Sequence, residues 1–384
     1  MIAVQDASQD FLDALRGSHT QVVQVDAYRG GELLSPEDGL PVAGGQVTIT
    51  AGQPIRTQVS VTVADPDGVW APAADGALSP YGSQLHVRAG VRAGALLQYF
   101  SLVWAPITTA QTSERWQPYQ RVDKTVQVSR GQSTEVTATD RAQVVAGSRF
   151  LGRTQPLAST VFAEIGQLLS GVVPWWAPPS GVTDKPVPAG ITYQDDRLAA
   201  IGTLAAVVNA DLIFTEEGVA TLTPRAAVGA SVWTVPLGPQ DRPAVIAFDR
   251  ELSADNTYNG VIARGTTFNG QPVIGQAVIG DGPMRWDGPY GRVPWFFDSA
   301  ATIGTQADAN SAAINELARL QRERTQTLTV QCVSNPALEV GDTVTLTMAN
   351  GTVDGLVMSA TWPLVPGGMS LTVAVDPDLL AQVI

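Results

Sequence analysis

Residues 305–332 read TQADANSAAINELARLQRERTQTLTVQC, and within this stretch the hydrophobic period changes from that of a helix to that of a strand. Thr305 and Asp308 have the spacing of a helix N-cap and the acidic residue that pairs with it. Ile314 and Leu317 then fall on the same side of a helix. We therefore predict an amphipathic helix that begins after Thr305 and leads directly into a strand.

The strand that follows has one apolar and one polar side. Leu328, Val330 and Cys332 alternate with polar residues, as a half-buried strand requires. Asn335-Pro336 and Asn350-Gly351 then mark turns, and the second is typical of a two-residue β-hairpin. These signals predict a small antiparallel barrel or sandwich packed on the helix, and they include no group of catalytic residues.

Composition and charge limit the classes of protein to consider. The chain has 384 residues, of which 44% are hydrophobic and 15% charged, which is typical of an ordered protein of several domains. The formal net charge of −13 argues against a basic surface for nucleic acid or for anionic membranes. The sequence shows neither a signal peptide nor a run of about 20 apolar residues that could span a bilayer. We therefore expect synthesis and folding in a cytoplasm.

Cys332 is the only cysteine in the chain. A single thiol excludes an intrachain disulfide and a zinc site built from several cysteines. Its place on the apolar side of a predicted strand indicates a core residue, because an unpaired cysteine is usually buried like a small hydrophobic side chain.

Short strands separated by Gly and Pro turns occupy both ends of the chain, and helices occupy its middle. We predict a β-rich α+β fold of several domains, with small antiparallel barrels or sandwiches at both ends and an α+β insert between them. The predicted domains are an N-terminal helix or arm (1–18), a β-barrel (19–140), the α+β insert (141–228), a β-rich segment with an aromatic arm (229–304), and a helix with a second β-barrel (305–384).

Two further patterns concern the strands. Ser79–Val87 and Pro336–Val344 each consist of a turn that leads into an alternating strand. This weak internal similarity suggests that one β-domain is duplicated within the chain. Residues 120–128 also alternate between polar and apolar side chains, and we predict a single strand there.

The sequence contains few residues suited to catalysis. His19 and His86 are far apart and have no acidic or cysteine partners at metal-ligand spacing. Three acid pairs occupy helix starts or turns, where carboxylates have structural roles: Asp65/Asp67, Asp195/Asp196 and Glu216/Glu217. Neither a nucleophile elbow nor a phosphate-binding loop is present. We therefore predict no catalytic residue, metal or cofactor; a glycoside or peptidoglycan hydrolase that uses one acid pair stays open as an alternative.

Aromatic residues concentrate in a loop of the insert and in the arm. The candidates for an interface are Trp175, Trp176, Trp286, Tyr290, Trp295, Phe296 and Phe297. Such side chains are enriched where proteins bind one another, so one interpretation is a protein–protein interface. The alternatives are small cores under the loops and stacking surfaces for sugars. The sequence thus points to binding surfaces rather than to a reaction.

Several short motifs occur along the chain in an order that resembles a known family. These motifs, which together cover most of the chain, are Gly45-Gln46-Val47-Thr48, Leu78-Ser79-Pro80-Tyr81-Gly82, Ala138-Thr139-Asp140-Arg141, Ile191-Thr192-Tyr193, Tyr258-Asn259-Gly260-Val261 and Asn335-Pro336-Ala337-Leu338. In this order they resemble the minor tail proteins of actinobacterial siphophages, of the tail-hub type. None of the motifs is catalytic.

This resemblance implies a baseplate-hub-like fold and a structural role in the virion, at the tip of the tail. Hubs of this kind are expected to form a ring of three copies that joins the six-fold tail tube to the three-fold tip. The implied partners are the chain itself, the distal tail protein, the tape-measure protein, and receptor-binding or other minor tail proteins. DNA would pass through the lumen without specific binding, which an acidic lumen favours.

Two alternatives to this tail hub also stay open. One is a carbohydrate- or receptor-binding tail component that uses Trp175 and Trp176, and the other is the hub of a contractile injection system. Because the sequence ends at Ile384 with no lytic or fibre domain appended, we expect no digestion of the cell wall.

Overall fold

The structure, a computed structural model, describes residues 7–121, 124–178, 181–215, 217–235, 245–247, 258–267, 269–298, 303–322, 326–348, 350–376, 379–380 and 383. Its helices are α1 (Gln9–Arg16), α2 (Ala142–Gly147), α3 (Val161–Leu169), α4 (Arg197–Val207) and α5 (Gln306–Arg322). Its strands are β1 (Thr20–Arg29), β2 (Glu32–Leu33), β3 (Val42–Thr50), β4 (Thr57–Ala64), β5 (Ser83–Ala93), β6 (Leu96–Arg121), β7 (Lys124–Thr139), β8 (Ala210–Phe214), β9 (Ala220–Pro224), β10 (Trp233–Thr234), β11 (Val245–Ala247), β12 (Gly260–Thr266), β13 (Pro272–Val278), β14 (Pro294–Asp298), β15 (Gln326–Cys332), β16 (Thr343–Met348), β17 (Gly351–Pro363) and β18 (Met369–Val375).

Thirteen of the described strands form one long sheet. Along its main path the order is β11-β15-β18-β17-β3-β4-β7-β6-β5-β1-β2, and β16 joins it through β17 and carries β10. β17 and β3 are antiparallel neighbours, with pairs that run from Ser359–Thr50 to Pro363–Gln46. This junction places strands from the two β-rich ends of the chain side by side in a single sheet.

The apolar side of this sheet encloses a common core. Val87 contributes to the core from the N-terminal region, and Val330 contributes from the C-terminal region. Trp362 is buried near the junction and donates a hydrogen bond from Nε1 to the backbone oxygen of Asn335 (3.0 Å). Cys332 is buried in the same core, as predicted. Removal of this apolar surface from water is the main favourable contribution to folding.

The insert has a separate core, built from α2, α3, α4 and the β8–β9 hairpin. Ile165 of α3 and Ile201 of α4 are completely buried in it. Arg197, the first residue of α4, donates from Nε to the backbone oxygen of Ser148 (2.6 Å) and lies over the Phe150 ring. Because Ser148 follows the last turn of α2, this bond satisfies a carbonyl at the end of one helix with the first side chain of another.

A separate three-stranded sheet, in the order β13-β12-β14, packs on α5. Thr305 caps this helix as predicted. Its hydroxyl accepts a hydrogen bond from the Asp308 N–H (3.1 Å) and donates one to the Asp308 carboxylate (2.7 Å). The change from helical to extended period is also confirmed, since α5 ends at Arg322 and the next element, β15, begins at Gln326.

The predicted buried side of α5 is wrong in one respect. Ile314 is 60% exposed, whereas Ala309 and Ala313 are buried. A Cβ atom at Gly275 of β13 would clash with the backbone oxygen of Ala309. Helix and strand therefore approach so closely that only small side chains fit between them, and the larger Ile314 lies outside the contact.

The predicted β-rich α+β class with an α+β insert is confirmed, although the described strands form open sheets rather than closed barrels. The single strand predicted over 120–128 is wrong. β6 ends at Arg121 and β7 begins at Lys124, and these two residues pair with each other in an antiparallel hairpin. No helix in the described part of the chain is both long and apolar enough to cross a membrane.

Candidate interaction surfaces

The three-stranded sheet buries one face against α5 and exposes the other, which we call the outer sheet face. Its apolar residues are Ile262, Ile274, Val278 and Phe296. Ile274 is 57% exposed and Phe296 is 45% exposed, although both side chains are large and apolar. Cζ of Arg264 lies 4.2 Å from the centre of the Phe296 ring, which is a cation–π contact. An exposed apolar surface with an aromatic ring and an arginine has the composition of a protein–protein interface.

The loop between β13 and β14 adjoins this face and is fixed to the start of β12. The Trp286 ring packs on Gly260, where a Cβ atom would clash with it. Asn259 is completely buried and holds the other end of the loop: its Nδ2 donates to the backbone oxygen of Gly291 (2.6 Å), and its Oδ1 accepts from the Val293 N–H (2.8 Å). Because both ends of the buried Asn259 amide are hydrogen-bonded, this side chain fixes the position of the aromatic loop.

The other predicted interface aromatics of the arm lie partly in a core. Trp295 and Phe297 alternate with Phe296 along β14, so they point toward α5 and pack against the core there. The Trp295 ring also contacts Tyr258, with ring centres 5.0 Å apart. Tyr290 is half-buried in the loop before β14. Of these residues Phe296 has the most exposed side chain, and the interface role of the group stays a prediction.

The two tryptophans of the insert have different environments. Trp175 is half-buried and packs against the insert core beside Gly166 of α3. Trp176 follows it and is 53% exposed. A sugar-stacking surface, if these residues form one, therefore depends on the Trp176 ring.

A second exposed aromatic site lies where the sequence patterns did not indicate one. β4 pairs with β7 as far as Ala64–Ser133, and beyond that point β6 and β7 continue as a two-stranded ribbon. Trp116 and Tyr119 lie on opposite faces of the ribbon and are 57% and 61% exposed. Because a ribbon of two strands is marginally stable in water on its own, these rings are a candidate contact surface. An aromatic residue on each face of one strand is the signal that could have identified them.

One carboxylate of each acid pair makes a local structural hydrogen bond. Asp196 caps α4, because its Oδ1 accepts a backbone N–H of the first turn (2.9 Å). Asp65 accepts a backbone N–H in its own turn (3.0 Å), and Glu217 accepts a threonine hydroxyl in the β8–β9 turn (2.7 Å). Glu216 lies outside the described residues. Within the described ranges, no group of three or more His, Cys, Asp or Glu side chains could hold a metal ion.

A cleft of about 1500 Å³ lies between the insert, α5 and the C-terminal strands. Its walls include Gly202 and its neighbours on α4, which have small side chains, and Asn315 on α5. Ion pairs along the walls are Arg225–Asp211 and Arg319–Glu316. These two pairs match opposite charges locally along the walls of the cleft.

His86 belongs to a polar cluster on β1, β5 and β6. Its ring is stacked on Trp104, with centres 4.2 Å apart, next to an ion pair between Arg88 and Asp26 (2.6 Å). Burial is the main cause that lowers the pKa of His86 to about 4; the Arg88 and Arg141 cations act in the same direction, and Asp26 opposes them. At neutral pH the imidazole is therefore uncharged.

Acidification should destabilise the fold through His86. As the pH falls from about 6.5 toward 4, the unfolded chain binds a proton at His86 before the folded chain does, so stability is lost in this window. In urea unfolding at pH 7 and pH 4.5, the wild-type chain should lose more stability than His86→Gln, which cannot take up this proton. An equal loss in both chains would contradict the assignment.

Comparison with known proteins identifies the fold. No protein-family model and no curated protein matches the sequence. The chain is similar to the crystal structure of a tail protein from Neisseria meningitidis MC58, with a TM-score of 0.63 and 12% identity over 93% of this chain and 97% of that one. It is also similar to the 43 kDa tail protein of prophage MuSo2 from Shewanella oneidensis, with a TM-score of 0.56 and 12% identity over 92% and 98%. The chain has the fold of these two tail proteins.

The tail-protein fold extends over nearly the whole chain, so the β-rich ends, the insert and the small sheet all belong to it. This agrees with the resemblance to tail proteins seen in the motifs. The more specific assignment to actinobacterial siphophages stays a prediction.

Proposed function

We propose that the chain is a structural protein of the virion, the hub at the tip of a phage tail, where three copies form a ring. The ring joins the tail tube and the distal tail protein to the receptor-binding parts of the tip, and it contacts the end of the tape-measure protein. One carboxylate of each acid pair has a local structural role, and we infer that the hub is not an enzyme. The tail-protein fold shared with the two similar structures supports this role.

The observation that carries this proposal is the junction between β3 and β17. It joins the two β-rich ends of one protomer edge to edge, with five residue pairs, in a continuous sheet. Two sheet regions per protomer give six regions in a ring of three copies. Such a ring could match six subunits of a tube on one side while keeping three-fold symmetry on the other.

We also propose that the outer sheet face is the contact between copies. A ring needs a surface on one copy that fits a different surface on the next copy. The outer sheet face offers exposed Ile274 and Phe296 with Arg264 beside them, and buried aromatic and arginine anchors of this kind contribute most of the binding energy at interfaces.

Solution mass tests the ring directly. Light scattering on the purified chain should give three times the 40.3 kDa of one protomer, and negative-stain images should show a ring with a central hole. A chain that stays monomeric at every concentration up to its solubility limit, alone and with the distal tail protein, would contradict the proposal.

A further inference from the structure

On one face of the long sheet, three successive rows across neighbouring strands consist of uncharged side chains, nearly all of them polar. We call it the hydroxyl face. Its first row, across β15, β18, β17, β3, β4 and β7, is Gln331, Ser370, Thr361, Thr48, Gln58 and Thr139. The second row is Thr329, Thr372, Ser359 and Thr50. The third row, which begins at Pro363, continues with Gln46, Ser60, Thr137 and Thr109.

Hydrogen bonds between hydroxyls connect these rows from strand to strand. The hydroxyls of Thr48 and Thr361 are 3.0 Å apart, and those of Thr50 and Ser359 are 3.1 Å apart. Both pairs cross the β3–β17 junction, so the face continues without interruption between the two β-rich ends. Threonine suits this position because its branched side chain fits a strand and its hydroxyl bonds across to the next strand.

The lack of charge on this face is unusual for an exposed sheet. The chain contains 23 basic and 36 acidic residues, yet none of them occupies these three rows. Ser60, Thr137 and Thr329 are exposed to solvent. Charged residues border these rows at Glu135, which lies one row further along β7 opposite Thr62, and at Arg56, whose backbone oxygen accepts from the Thr50 N–H (2.9 Å). Exposed sheets usually carry charged side chains that prevent association with other protein molecules. This face lacks such charges, so another feature has to prevent that association.

The chemistry of the hydroxyl face suits contact with water rather than with a macromolecule. It offers no aromatic or arginine anchor of the kind that holds a protein partner. It offers no lysine or arginine to neutralise phosphates, so it cannot gain affinity for DNA by counterion release. Its three rows also contain no carboxylate, and Glu135 lies one row beyond them. A polyanion could therefore move along it without being held.

We propose that the hydroxyl face lines a water-filled passage through which DNA slides without adhering. This inference rests on the proposed ring and specifies which surface faces its centre. The net charge of −13 alone would suggest an acidic lumen, whereas the hydroxyl face would give the lumen a neutral lining. The acidic residues would then lie on other surfaces of the ring.

Thiol labelling tests this assignment, because the only native cysteine, Cys332, is buried. Ser60→Cys places a thiol in the third row, and Ser170→Cys places a matched thiol on the exposed end of α3. Each variant is treated, as protomer and as ring, with a small maleimide and with a polymer-linked maleimide too wide for a narrow passage. In the ring, Ser60→Cys should keep its reaction with the small reagent and lose its reaction with the wide one. Ser170→Cys should react with both.

Two labelling results would overturn the proposal while leaving the ring intact. Protection of Ser60→Cys from the small reagent in the ring would make the hydroxyl face a contact between copies. Equal reaction of Ser60→Cys with both reagents would place the face on the outside. Failure to form a ring would instead overturn the proposed function and, with it, the passage. Thr137→Cys, in the same row on β7, repeats the test if Ser60→Cys does not fold.

Discussion

Asp140→Ala is expected to lower the free energy of unfolding by about 3 kcal/mol or more, because three backbone N–H groups would lose their acceptor and each loss costs about 1–3 kcal/mol. Oδ2 of Asp140 accepts from the N–H groups of Arg56 (2.7 Å) and Thr57 (2.8 Å), and Oδ1 accepts from that of Ala142 (2.9 Å). The side chain is 4% exposed, so little water can replace it. Urea unfolding followed by tryptophan fluorescence measures the change.

The loss of stability in Asp140→Ala should affect both the long sheet and the insert, because Asp140 contacts both. Asp140 lies between β7 and α2, so its carboxylate connects the start of β4 to the first helix of the insert. The next residue, Arg141, strengthens the same joint by donating from Nε to the Gln84 side chain (2.9 Å). We therefore expect the insert to unfold at a lower urea concentration in Asp140→Ala, together with the adjacent strands.

Two variants provide the controls for this prediction. Asp140→Asn keeps one carboxamide oxygen as an acceptor and should lose only part of the stability. Asp195→Ala removes an exposed carboxylate just before the cap of α4, and it should change the free energy of unfolding by less than about 0.5 kcal/mol. Equal unfolding midpoints for Asp140→Ala and Asp195→Ala would contradict the proposed role of the Asp140 carboxylate in connecting β4 to the insert.

The sequence alone indicates a change in character at Asp140, but it predicts neither the contacts of the Asp140 carboxylate nor the sheet beside them. Hydrophobic period predicted the helix after Thr305, the half-buried β15 and the change in character at Asp140, because each of these is a local pattern. The β3–β17 junction brings together residues that are more than 300 positions apart, such as Thr50 and Ser359. A local hydrophobic period cannot show which distant strands pair with each other. The sequence therefore predicts two separate barrels, whereas the structure has one sheet.

The aromatic residues illustrate the same limit at a finer scale. Along β14, alternation implies that Phe296 points away from Trp295 and Phe297, but it does not say which side meets a helix. The close approach of α5 to Gly275 shows which face of the small sheet packs on the helix. Phe296 lies on the opposite face and is therefore exposed. The ribbon was missed for another reason: β6 and β7 reverse between Arg121 and Lys124, where the sequence has neither Gly nor Pro.

Ile274→Asp combined with Phe296→Asp is expected to abolish the proposed ring while the protomer stays folded. Both side chains are exposed in the protomer, so their replacement leaves its cores intact. At an interface, each substitution would remove an apolar anchor worth about 2 kcal/mol and bury a carboxylate. Two such losses correspond to an affinity about 1,000-fold weaker. Light scattering measures the mass, and circular dichroism reports whether the protomer is folded.

Leu151→Asp combined with Leu157→Asp is the matched control, because it places the same two charges on exposed leucines of the insert. The ring should survive this change if the copies meet through the outer sheet face. The reverse result, with the ring lost in the insert variant and kept in the sheet variant, would place the contact on the insert. A ring that persists in both variants would exclude both substituted surfaces as the contact, and the exposed rings of Trp116, Tyr119 and Trp176 would be the next candidates. The two pairs of substitutions therefore distinguish between contact surfaces that composition alone cannot rank.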